Sequence, residues 1–293
     1  MPVKPPPANI FSFDMIDAAG YGYHRVWTER HYLLKLSLIP ILMKFVAAIA
    51  YYVMGFEDDI LRRGLFMLPA LFAEGWVLAQ FLRTLLMEER WPQTLPKERD
   101  DVAIARLILR ARGIISATLI FVLIQLVSTV VAWGVFQIDH KAQALAEQRA
   151  AGAVADATGA DGLMIIPVLG LLVASIWSFR LLWLNIPYAV LMPIRVYLSR
   201  LGGFMASVRM LGLFLVCVIP LSVFATLLAQ MLVSGTPADT DPPALAQFVI
   251  MFISAATDMM TALIATTGMA YALRNVVPHH PDALKDVHDK KSS

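Results

Sequence analysis

The apolar residues of this chain fall into long blocks separated by short polar segments, without the alternation that marks half-buried strands. Six blocks reach the roughly 20 residues that a membrane crossing takes. They cover residues 33–54, 65–87, 113–136, 163–183, 211–233 and 245–271. The pattern predicts an all-α, polytopic helical bundle with six transmembrane helices. The chain then divides into an N-terminal amphipathic segment at 1–32, a transmembrane domain at 33–274 and a polar, disordered tail at 275–293.

Basic residues concentrate in alternate connections. Arg90, Lys97, Arg99, Arg106, Arg110 and Arg112 follow the second block, and Arg195, Arg200 and Arg209 follow the fourth. Lys4, Arg25 and Arg30 precede the first block, and Arg274, Lys285, Lys290 and Lys291 follow the last. With six crossings these segments share one side, which the positive-inside bias makes cytoplasmic. Both termini are therefore expected inside, in a cell inner membrane.

Three flanking segments are more than plain loops. Phe13, Ile16, Gly20, Tyr23 and Trp27 recur at helical spacing with Asp14, Asp17 and Arg25 on other faces. This predicts an amphipathic helix, lying on the inner leaflet or packed on the protein's own cytoplasmic face. Residues 96–112 place acids first and arginines last, as a helix dipole prefers, and read as a solvated extension of the third span. Arg99, Arg106 and Arg110 on that extension, with Arg180, are candidate contacts for anionic lipid headgroups. Arg83, Arg180 and Arg274 fit as snorkelling anchors at the inner ends of helices. Trp133, Trp177 and Trp183 fit interfacial aromatic belts. Pro187 and Pro193 bracket a stretch that is either interfacial or a re-entrant turn sheltered by protein.

The charges inside the blocks matter most. Lys44, Glu74 and Asp258 fall near the middles of the first, second and sixth blocks. A charge at mid-bilayer costs about 2.5–3.5 kcal/mol on the lenient insertion scale, so each should face inward and find a partner. Lys44 and Glu74 lie on a helical hairpin and are natural partners. Asp258 then leaves one carboxylate in excess, and low dielectric favours its uptake of a proton. The plainer alternative is a packing bridge with Asp258 bonded to Thr257 or Thr261. The small residues of the last block, from Ser254 to Gly268, predict close helix packing.

Composition agrees with the pattern: 58% of the 293 residues are hydrophobic and 16% are charged, with a mean hydropathy of +0.66. A net charge of +2 gives no argument for nucleic acid. Cys217 is the one cysteine, which excludes an internal disulfide. No phosphate-binding glycine loop, HExxH or GxSxG motif is present, and no catalytic, cofactor or metal residue is expected. The histidines and aspartates between His279 and Asp289 fit a solvated tail.

The aromatic lead-in from Phe13 to Trp27, the Leu38-Ile39-Pro40 of the first span and the six-block layout resemble a broad group of bacterial inner-membrane proteins. These are the YciC type and the membrane domain attached to some glycerophosphodiester phosphodiesterases. The resemblance implies an envelope or lipid-related role and no catalytic residue. The leading expectation is a non-enzymatic membrane protein in envelope homeostasis, contacting the lipid bilayer and forming a homo-oligomer or part of a larger membrane complex. Two alternatives are a small proton-coupled transporter using Lys44, Glu74 and Asp258, and an intramembrane enzyme without a recognisable motif.

Overall fold

The computed structural model describes residues 13–56, 59–91, 101–150, 170, 173–234 and 243–280, with side chains omitted at 138–150. These residues are helical wherever they form regular structure, with no strand among them. The helices are α1 (Met15–Thr28), α2 (Arg30–Val53), α3 (Ile60–Met87) and α4 (Asp101–Ala150). A 3-10 turn at Phe179–Trp183 leads into α5 (Asn185–Ala189), α6 (Ile194–Leu201), α7 (Phe204–Val233) and α8 (Ala244–Ala272). Five helices are long and apolar enough to cross a membrane: α2, α3, α4 as far as Gln137, α7 and α8. The protein is thus a multi-pass, all-helical membrane protein. Of the predicted block at 163–183, residues 163–169 and 171–172 lie outside the described residues, as do residues 1–12, Arg99 and the tail from 281.

The helix ends follow local chemistry. The Asp14 carboxylate accepts from the backbone N–H groups of Ile16 (2.8 Å) and Asp17 (3.2 Å), capping α1. Asp59 does the same for α3 by accepting from Arg62 N–H at 3.1 Å. Pro40, Pro69 and Pro220 sit inside α2, α3 and α7. Neighbouring helices make such interruptions tolerable in lipid.

One end of the bundle gathers several helix termini. Trp91 N–H, past α3, donates to the Tyr32 hydroxyl at the start of α2 (3.2 Å). Arg110 of α4 donates to the Arg90 carbonyl (3.3 Å), and Arg200 of α6 to the Val276 carbonyl beyond α8 (2.9 Å). His280 N–H donates to the Leu86 carbonyl (2.7 Å). Residues 275–280 therefore pack on the bundle, and the expected free tail does not begin at 275.

α1 also packs there, on α7 and α8. Its small face of Ala18, Ala19 and Gly22 is buried. A Cβ on Gly22 would lie 2.7 Å from the Ile264 carbonyl oxygen, so only glycine allows this approach. Tyr21 stacks on Tyr271 with centroids 4.2 Å apart. The Tyr23 hydroxyl donates to the Cys217 carbonyl (2.8 Å). The outer face of α1 leaves Ile16 and Trp27 exposed.

Candidate functional site: a charged cavity between the helices

The α2–α3 hairpin brings Lys44 and Glu74 together. Nζ lies 3.0 Å from the Glu74 carboxylate, and the two side chains are only 8% and 5% exposed. α8 packs against both helices and brings in Asp258, within electrostatic reach of Glu74. All three line one cavity of about 740 Å³, a volume typical of small-molecule sites. The predicted triad therefore converges at a single place. Asp258 makes no hydrogen bond or ion pair with Thr257, Thr261 or any other described residue.

α4 supplies the opposite wall with Gln125, Ser128 and Thr129. Close approach of α3 and α4 depends on Gly64 and Gly75. A Cβ there would meet the Thr129 methyl at 2.7 Å and the Phe121 ring at 2.9 Å. Leu71, Leu78 and Ile124 make the rest of these walls apolar.

A third wall comes from residues to which the sequence assigns other places. Phe179, Trp183 and Phe214 form an aromatic cluster along the cavity, with ring centroids 5.6 to 6.4 Å apart. Trp183 is buried, which corrects its placement in an interfacial belt. The chain break behind it explains the change. α5 spans one turn, Leu191 takes a left-handed conformation (φ 58°), and Met192 N–H returns to the Pro187 carbonyl (2.9 Å). Asn185, Ile186, Pro187 and Ala189 are buried, so this is the sheltered form of the broken segment.

The arginines beside this break are not where a snorkelling model puts them. Arg83 is buried and donates to the Ala189 carbonyl (2.7 Å) and, from Nε, to Glu89 (2.7 Å). Glu88 adopts φ 59°, and this left-handed turn swings Glu89 back toward Arg83. Arg110, 5% exposed, donates to Gln80 Oε1 (3.1 Å) and pairs with Glu89 at 3.7 Å. It is thus a core residue rather than a headgroup contact. Arg106, one turn earlier, is exposed. Arg180 is half-buried, donates to the Gly202 carbonyl (3.1 Å) and covers the Trp177 ring at 4.2 Å. Arg274 covers Tyr271 at 3.8 Å.

The arrangement places two carboxylates and one ammonium beside space large enough for a small solute. Among the described residues no group of histidine, cysteine and acidic side chains is placed to hold a metal ion. No protein-family model, characterised protein or solved structure matches this chain.

Proposed function

We propose that the protein is a small proton-coupled carrier whose solute site is the cavity around Lys44, Glu74 and Asp258. The observation that carries this reading is the convergence of the charges on open space. A packing bridge would be sealed by side chains, whereas these groups line a cavity of about 740 Å³. Asp258 has no ion-pair partner among the described residues, and intramembrane charge of this kind marks solute and proton pathways. The broken segment at 179–193 adds support. Irregular backbone at membrane depth is tolerated where protein shelters it or where it lines a cavity, and in carriers it often borders the site.

We further propose six crossings with both termini in the cytoplasm of a bacterium. α4 leaves the end of the bundle at which α7 begins, so a return crossing belongs between Gln137 and Phe179. That end also carries Arg83, Arg90, Arg110 and Arg200, as the positive-inside bias requires. The resemblance to YciC-type proteins carries no residue into this proposal.

The test is access. Thr261→Cys in a Cys217→Ala background places one thiol in the cavity. Cys217→Ala keeps the backbone carbonyl that Tyr23 uses. The protein, reconstituted in vesicles, is exposed to a membrane-impermeant methanethiosulfonate at pH 8. Labelling from an aqueous face is expected, at a pH where the reactive thiolate is present. The charged groups facing Asp258 in the cavity are Lys44 from α2 and Glu74 and Arg63 from α3, and α4 contributes only neutral ones. A thiol unreachable from both faces would return the triad to a packing role.

A further inference from the structure

We infer that the cavity takes an amphipathic organic monocation, a substrate class that rests on the carrier reading above and narrows it. The first argument is charge. Lys44 and Glu74 neutralise each other across 3.0 Å. Asp258 adds a negative charge within reach of Glu74 and pairs with no cation among the described residues. Arg63, also on the lining, is exposed and lies over the Tyr51 ring at 5.6 Å, at the far end of α3. The part of the lining around Asp258, which is exposed on the cavity wall, therefore carries one carboxylate with no cation paired to it among the described residues, and an anion entering there would meet it.

The second argument is shape and surface. A bare metal ion needs a tight oxygen shell, whereas this space is about 740 Å³ and lined mainly by Leu71, Leu78, Phe121 and Ile124 beside the aromatic cluster. An organic cation satisfies both demands. Its charge sits by Asp258, its apolar body replaces lipid contacts along the walls, and the faces of Trp183, Phe179 and Phe214 attract a cation. Asp258 and Thr266 both line the cavity on α8. At 1.5 Å rise per residue they are about 12 Å apart, enough for a charged head and an aromatic or aliphatic body.

Tetraphenylphosphonium and tetraphenylborate share one shape and differ in sign, so they separate charge from greasiness. Equilibrium dialysis of the full-length protein in mild detergent should show saturable tetraphenylphosphonium binding, at one site per chain. Asp258→Asn should weaken it at least tenfold and Asp258→Glu should restore it. Asp17→Asn, on α1 outside the cavity, should leave it unchanged. A monodisperse gel-filtration peak certifies each variant's fold. Equal or tighter binding of tetraphenylborate overturns the proposal, as does an affinity indifferent to Asp258→Asn. If no saturable tetraphenylphosphonium binding is found while the Thr261→Cys thiol still labels from an aqueous face, the cation class fails and the carrier survives. If both are absent, the carrier reading fails as well.

Discussion

Every residue of α3 from 77 to 86 is buried, while from 61 to 69 on the same helix none is. α8 repeats the contrast: 263–272 is buried throughout and 244–254 is not buried at all. Both halves of each helix are mainly apolar, so hydrophobicity does not make the difference. The buried halves belong to the end that holds Arg83, Arg110, Gln80 and Thr84, and there α1, the broken segment 179–201 and residues 275–277 wrap the helices. The exposed half of α3 keeps its charges, Arg62 and Arg63, at the start of the helix, where Asp59 and the Tyr51 ring meet them. Lipid accepts bare leucine and valine without penalty, but it offers no partner to a guanidinium or a free carbonyl. Extra protein is therefore needed only where polar groups must be satisfied. Lys44, Glu74 and Asp258 lie between the two regimes, at the depth where packing gives way to the cavity.

Substitutions can break or sharpen that contrast. The largest effect is expected at the boundary. Lys44→Met should cost about 3–5 kcal/mol because it strands the Glu74 charge. Lys44→Met with Glu74→Gln should recover most of that loss. Thermal unfolding in detergent, run as a double-mutant cycle, measures it, and additive losses would mean that the pair is not coupled.

A smaller loss is expected inside the packed half. Arg110→Met removes charge-assisted hydrogen bonds to Gln80 and the Arg90 carbonyl and should cost about 1.5–3 kcal/mol. Arg106→Met, one turn away on the exposed face, should fall within about 0.5 kcal/mol of the parent. Equal effects at the two positions would remove the distinction between the faces of α4.

Next comes the α1 seam. Gly22→Ala forces a methyl against the Ile264 carbonyl, and overpacking of this kind costs about 1–3 kcal/mol. Gly20→Ala, with open space at its Cβ position, should be neutral or slightly stabilising. Limited proteolysis near α1 would report its release in the first variant and not in the second.

The smallest effect is expected from Asp258→Asn, which breaks no ion pair and should leave stability within about 0.5 kcal/mol while altering cavity behaviour. A large destabilisation there would show that Asp258 holds the packed half together.

Much of this was legible in the chain. The ends of α2, α3 and α8 lie within five residues of the apolar blocks, while α7 ends with its block but begins seven residues earlier, at Phe204, because lipid selects length and apolarity and both are local properties. Lys44, Glu74 and Asp258 were identifiable because a charge in such a block is expensive wherever its helix packs. The pairing of Lys44 with Glu74 followed from the hairpin.

The rest depended on which surfaces meet. Sequence could mark Gly22 and Gly268 as small, but only the packing made them one seam between α1 and α8. Arg83 and Arg110 look like anchors along the chain. They became core residues because Glu89, Gln80 and the Ala189 carbonyl converge on them from separate segments. Trp183 and Phe214 could be seen only as apolar aromatics until a broken helix set them beside the cavity. The medium and the cost of charge are written residue by residue. The partner of each charge, and the open space beside it, arise only when distant segments pack.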